Sequence, residues 1–149
     1  LARAVGLDSG FPLIGYRTVA KNLELTADNA EDVAEIVIDA GENTLDVDDA
    51  TLREIREFTD TVNEMTELGV RSVVERDYDL ALQTKKLFRD VEDSQTEILT
   101  SLPEMDNDKL LQVREVLVAL QQTAQYAVRN AEIATNLALD TNSEYVTIT

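Results

Sequence analysis

Carboxylates four residues apart are the side chains of this sequence whose spacing could best support chemistry. Glu24 and Asp28 have this spacing on a predicted helix, so they stack on one helix face. Glu31, Asp32 and Glu35 extend the acidic strip by one or two turns. Oxygen ligands of this kind suit Mg²⁺, Ca²⁺, Mn²⁺ or iron better than Zn²⁺. The strip is therefore a candidate metal site.

A second acidic cluster lies on another predicted helix. Asp90 and Asp93 are three residues apart and could share a face. Two interpretations of these clusters stay open, metal ligation and a solvated charged face. The second is favoured by the abundance of acids, because the same spacing recurs at Asp60 and Glu64 without any further signal.

The residue types exclude most catalytic chemistry. Cysteine and histidine are absent from the sequence, which removes thiolate sites, the commonest general base and the commonest metal ligand. The five glycines form no phosphate-binding loop or nucleophile elbow. No pattern places two carboxyls in unlike environments of one cleft. We predict a protein that is not an enzyme.

The charge balance bears on partners and habitat. Thirty acids face 13 bases, a net charge of −17 spread along the chain, so we predict no nucleic-acid partner. A folded, lysine-poor acidic sequence favours a protein adapted to high salt over an acidic protein of ordinary habitat. No apolar run approaches the ~20 residues of a membrane span. We predict a cytoplasmic protein without membrane insertion, and the first residue, Leu, suggests a piece of a longer chain.

Apolar residues step by three and four along most of the chain, which predicts an all-α fold, an antiparallel bundle of four long helices in one domain. The predicted segments are the end of a preceding helix over 1–10, helix one over 13–40, helix two over 48–75, helix three over 77–102, helix four over 106–140, and a tail over 141–149. The turn between helices two and three lacks Gly and Pro, so one long kinked helix is the alternative there.

Each predicted helix has an apolar seam. That of helix one is Val19, Leu23, Ala27, Ala30, Ala34 and Val37. Those of helices two and three run from Leu52 to Val73 and from Leu80 to Leu102. Helix four has the most regular seam, from Leu110 to Ala138.

Helices one and four contain a repeat. Residues 19–36 (VAKNLELTADNAEDVAEI) and 116–133 (VLVALQQTAQYAVRNAEI) share eight residue types at equivalent positions. Such a self-match predicts two related helices in equivalent environments. The copies differ where Glu24 and Asp28 of the first are replaced by Gln121 and Gln125 in the second.

The first copy resembles the signature of the PhoU family of phosphate-uptake regulators, in which the last helix of each unit reads roughly L-E-R-I-A-D-H-A-x-N-I-A-E. Residues 23–35 (LELTADNAEDVAE) fit this pattern, and residues 120–132 are a more diverged copy. Residues 76–98 look like the middle segment of the family. The resemblance covers nearly the whole chain.

The resemblance implies how the chain is built and what it does. Helices two to four would form a PhoU-like three-helix unit, and helix one would close a preceding unit. The implied function is negative regulation of phosphate uptake by contact with a phosphate ABC transporter and a sensor kinase, in a halophilic archaeal homodimer. Two other functions stay open: an accessory module of another transporter or a cation channel, and a dimerising bundle without a ligand.

The resemblance also implies a metal site. Members of the family bind iron or zinc clusters through E/D-x-x-x-D motifs, which Glu24 and Asp28 match, and Asp90 and Asp93 could add acids from helix three. The second copy departs from this motif, because neutral amides ligate metals weakly. Asn29 also stands where the family often has His.

Overall fold

The computed structural model describes residues 11–41, 45 and 47–143, which form four helices and no strand. These are α1 (Phe11–Asp39), α2 (Asp49–Glu75), α3 (Tyr78–Ser101) and α4 (Asn107–Ser143). The all-α bundle predicted from the sequence is confirmed. The predicted helix end over 1–10 and residues 144–149 of the predicted tail lie outside the described residues.

The predicted turn between α2 and α3 is confirmed, and the single kinked helix is wrong. Arg76 ends α2 in the left-handed conformation (φ 52°), and the Asp77 backbone N–H donates to the Ser72 carbonyl at 2.9 Å. The Asp77 carboxylate then accepts from the backbone N–H groups of Asp79 and Leu80 at 2.8 and 3.1 Å. The chain therefore reverses within two residues.

The outer helix ends differ slightly from the prediction. The described part of α1 already includes Phe11 and Pro12, whereas the prediction began this helix at residue 13. α4 continues through residues 141–143, which the prediction assigned to a tail. Gly41 follows α1 with φ +84°, as a left-handed helix cap requires.

The central helix of the bundle is α4, which packs against each of the other three. Its apolar side chains meet those of α2 and α3 in the main core, which includes Val62, Met65, Val91 and Leu117. At Gly69 the backbones of α2 and α4 come so close that a Cβ atom would lie 2.8 Å from the carbonyl oxygen of Ala127. Small residues therefore set the distance between α2 and α4.

The seams predicted for α2, α3 and α4 are confirmed, since their residues are buried or half-buried. The seam predicted for α1 is wrong at Leu23, Ala27, Ala30 and Ala34, which are all exposed. The residues of α1 that face α4 are instead Val19, Asn22, Thr26, Asn29, Val33 and Ile36. This face has the same three-and-four stepping but contains two asparagines, which a search for apolar periodicity passes over.

Candidate interaction surfaces on the repeated helices

Two hydrogen bonds between buried side chains join α1 to α4. The Asn22 amide donates to the Asn130 side-chain oxygen at 2.7 Å, and the Asn29 amide donates to the Thr123 hydroxyl at 3.1 Å. These side chains are each less than a tenth exposed. Because buried polar groups are costly unless they are paired, these bonds fix the register of the two helices.

That register places the two copies of the repeat side by side over their whole length. Asn29 follows Asn22 by seven residues and Thr123 precedes Asn130 by seven, so the helices are antiparallel. The same register sets Val19 level with Ile133, and Ile36 level with Val116. The first residue of each copy thus lies at the last residue of the other, which is the arrangement of a local two-fold axis.

The two-fold relation shows what the exposed face of α1 resembles. We call this face the α1 outer face; its residues are Leu23, Ala27, Ala30 and Ala34. In the repeat they align with Leu120, Ala124, Ala127 and Ala131, the same residue types, which pack against α2 and α3. Leu23 is 40% exposed, and Ala30 lines a groove of about 220 Å³ between α1, α2 and α4. α1 therefore presents to solvent a copy of the face that α4 buries.

Glu24 and Asp28 lie on a different side of α1, and both are exposed. Glu24 forms an ion pair with Lys21 at 3.0 Å, with more than half of each side chain exposed. Within the residues that the structure describes, no group of three or more His, Cys, Asp or Glu side chains could hold a metal ion. Two carboxylates from one helix supply too few ligands for a divalent ion by themselves.

Asp90 and Asp93 are also exposed, on α3. The predicted sharing of a site between these acids and Glu24 and Asp28 is not supported by the helix packing. α3 packs against α2 and α4, whereas α1 packs against α4. The two predicted pairs of acids therefore belong to separate parts of the surface.

The pKa shifts of the described groups have structural causes. The pKa of Asp48 is lowered, because the Thr51 backbone N–H and hydroxyl donate to its carboxylate at the start of α2. The pKa of Arg71 is raised by its hydrogen bond and ion pair with Glu75 at 3.0 Å. Asp48 caps a helix and Arg71 stabilises one, so neither shift marks a reactive group.

Sequence reasoning missed the polar residues that fix the α1–α4 interface. Asn22 and Asn29 are seven residues apart, two helical turns, with Thr26 between them on the same face. This regular spacing of short polar side chains was the available signal.

None of the helices in the described part of the chain carries an apolar window long enough to cross a bilayer.

Comparison with protein-family models, with curated proteins and with solved structures gave no significant match. The fold and surfaces described above are therefore the basis for assigning a function.

Proposed function

We propose that this chain is a non-catalytic, PhoU-like module that regulates phosphate uptake through contacts between proteins. The observation that carries the proposal is the pairing of two copies of the PhoU-like motif about a local two-fold axis, fixed by the Asn22–Asn130 and Asn29–Thr123 hydrogen bonds. The resemblance of residues 23–35 to the PhoU signature supports the proposed role in phosphate uptake.

The α1 outer face supports the architectural part of the proposal. Its residues copy those that α4 buries against α2 and α3, and small residues are what such close packing needs, as the contact of Gly69 with Ala127 illustrates. We propose that α1 closes a second three-helix unit, whose other two helices form a hairpin of the α2–α3 kind in a longer protein.

The charges beside the α1 outer face do not by themselves select this partner. The face is flanked by Glu24, Asp28 and Glu31, and the α2–α3 hairpin carries 13 acidic and seven basic residues. A second hairpin of similar composition would have to place its arginines and lysines, and not its acids, beside these carboxylates. A homodimer through the same face is the competing arrangement.

Sedimentation of the chain, with and without its native upstream sequence, tests the arrangement. We expect the chain alone to associate weakly through the α1 outer face, and the longer protein not to associate through it. Ala27→Glu should abolish the weak association of the chain alone. A tight dimer of the longer protein that Ala27→Glu dissociates would favour the homodimer instead.

Phosphate uptake in a deletion strain tests the regulatory function. We expect uptake to stay high in phosphate-rich medium when the gene is deleted and to be repressed again when it is restored. The purified protein should also bind the ATPase subunit of the phosphate transporter. Unchanged phosphate uptake with an altered cation conductance would contradict the proposal and favour the cation-channel module.

Metal binding is a separate part of the proposal, and it requires ligands beyond Glu24 and Asp28. Metal analysis after incubation with iron or zinc tests it, with Glu24→Gln/Asp28→Asn as the disabled variant. Asp60→Asn/Glu64→Gln is a matched control, because these exposed acids of α2 have the same spacing. Equal metal contents in all three proteins would remove the metal site and leave the regulatory proposal standing.

A further inference from the structure

A groove lies between the last turns of α1 and the first turns of α4. Its volume is about 550 Å³. Its uncharged lining consists of the apolar residues Ile36, Leu111, Val118 and Ala119 together with Gln122. Leu111 is 55% exposed and Val118 is 47% exposed, so both offer apolar surface to a partner. We call this surface the acidic groove because of its rim.

The rim carries four acids, Asp32, Glu35, Asp39 and Glu115, and one base, Arg114. None of the ion pairs among the described residues involves the groove, since they join Lys21 to Glu24 and Arg71 to Glu67 and Glu75. The rim therefore holds an excess of negative charge that no cation of the described chain offsets by direct pairing.

The position of two of these acids adds to the excess. Asp39 is the last residue of α1 and Glu35 lies one turn before it, and the last turn contains no basic residue. The carbonyl end of a helix dipole favours cations and disfavours carboxylates. This placement destabilises the isolated helix. A cation on a partner protein would offset the unfavourable interaction of these carboxylates with the helix end.

The local two-fold axis supplies an internal comparison. It relates the acidic groove to a smaller groove of about 180 Å³ at the other end of the α1–α4 pair, lined by Ile14, Gly15, Thr18, Ile133, Asn136 and Leu137. That lining contains no acid. In the repeat alignment Asp39 corresponds to Asn136, Asp32 to Arg129 and Glu35 to Glu132. The other end thus keeps one of the three acids that α1 contributes, and the negative charge is concentrated at one end of the pair.

We propose that the acidic groove is the docking site for a cationic amphipathic helix of a partner protein. Leu111 and Val118 are seven residues apart, about 10 Å along α4 at 1.5 Å per residue. A helix lying in the groove would meet them with apolar residues at positions i, i+3 or i+4, and i+7. Lysine or arginine on the flanks of that helix would pair with the acids of the rim.

This inference goes beyond the proposed function, because it concerns a different face of α1 and holds whatever pathway the protein serves. The α1 outer face is apolar and small, and it suits a closely packed hairpin. The acidic groove is wider and charged, and it suits a single helix with a basic border.

Fluorescence anisotropy with the intact chain tests the proposal at about 0.15 M salt. The probe is a labelled synthetic helical peptide with leucines at i, i+3, i+4 and i+7 and lysines beside them. Its control is a scrambled peptide of the same composition, which keeps the charge and loses the apolar stripe. We expect the scrambled peptide to bind about tenfold more weakly or worse.

Two groove variants and two matched controls locate the binding. Leu111→Ser/Val118→Ser removes the exposed apolar lining and Glu35→Gln/Asp39→Asn removes rim charge; each should weaken binding about tenfold. The controls are Val74→Ser, at a residue 74% exposed on α2, and Asp60→Asn/Glu64→Gln, which has the spacing of the rim pair. These should change binding less than about twofold, as expected for surface changes away from the site.

Two results would overturn the proposal. Equal weakening by the rim variant and its α2 control would mean that the peptide follows the general charge of the surface. A wild-type chain that self-associates, and that Leu111→Ser/Val118→Ser makes monomeric, would assign the groove to a second copy. Circular dichroism should give the wild-type helix content for every variant, since all the changed side chains are exposed.

Discussion

Helices α1 and α4 carry copies of one motif and lie against each other, yet their surroundings are different. α4 buries its repeat residues against α2 and α3, whereas α1 packs against α4 and exposes the equivalent residues. Ala127 is 2% exposed, and its counterpart Ala30 is exposed. The repeated sequence therefore indicates a face that a helix can bury. Whether that face is buried depends on the neighbouring helices.

The largest contrast is expected from one substitution made at both positions. Ala127→Leu should destabilise the protein by about 3 kcal/mol, because Gly69 and the Ala127 backbone leave no space for a larger side chain. Ala30→Leu should change the free energy of unfolding by no more than about 0.5 kcal/mol, because it projects into an open groove. Urea unfolding of both variants measures the difference.

The same pair of variants also tests whether α1 is uncovered in solution. A loss at Ala30→Leu as large as that at Ala127→Leu, and dependent on protein concentration, would show that α1 is covered in solution by a second copy. If α1 closes a second three-helix unit as proposed, Ala30→Leu should be costly in that assembly without any dependence on concentration.

The next largest effect is expected at the polar end of the α1–α4 interface. The two-fold axis relates the pair Asn22–Asn130 to Val33 and Ala119, which are apolar. Asn22→Ala or Asn130→Val alone should cost about 2 kcal/mol, because each leaves a buried amide without its partner. The double variant copies the apolar end and should recover more than half of the summed loss.

A double-mutant cycle measured by thermal unfolding checks this prediction. Strictly additive losses would contradict it, since they would mean that the two amides do not stabilise each other. A double variant that is stable but has an altered oligomeric state would refine the prediction. The amide pair would then be needed for the register of α1 against α4 and not for stability.

A smaller contrast is expected between the two glycines at close helix contacts. A Cβ atom at Gly69 would meet the Ala127 backbone at 2.8 Å, whereas one at Gly15 would meet the Cγ2 methyl group of Ile133 at 3.0 Å. Gly69→Ala should cost about 1 kcal/mol after its gain in helix propensity. Gly15→Ala should be neutral or slightly stabilising, since Ile133 borders an open groove and can shift. Equal losses at both sites would contradict this difference.

The sequence predicted the helix seams well where apolar periodicity and burial coincide. The seams of α2, α3 and α4 follow from residues such as Val62, Val91 and Leu117, whose burial needs no knowledge of the neighbouring helix. The turn at Arg76 and Asp77 was also predictable, because aspartate at a helix start has a local physical role.

The α1 interface could not be predicted in the same way. The three-and-four stepping of the apolar residues of α1 predicts the wrong buried face, because most of these residues are exposed. The actual contact face of α1 includes Asn22 and Asn29, which are buried because Asn130 and Thr123 pair with them across the interface. Pairing between residues so distant in the chain depends on tertiary structure, which the periodicity of a single helix does not predict. The acidic groove has the same origin, since α1 and α4 each supply only half of it.

The smallest predicted effect is a change in the free energy of unfolding caused by charge and not by packing, and it differs between the two copies of the repeat. Asp28 of α1 has acids four residues away on both sides, Glu24 and Asp32, and Asp28→Asn should stabilise the protein by about 0.5 kcal/mol at low salt. In α4, Gln125→Asp should cause no loss, because the new carboxylate lies four residues before Arg129.

Thermal unfolding between about 0.1 M and 1 M salt measures both variants, and the gain from Asp28→Asn should vanish near 1 M, where the Debye length is about 3 Å. Stability of the unaltered chain should itself rise over this range if the protein is adapted to high salt, and a flat response would contradict that adaptation. If Asp28→Asn instead destabilises the protein only when iron or zinc is added, the carboxylate belongs to a metal site, because a bound cation reverses the sign of the repulsion between neighbouring acids.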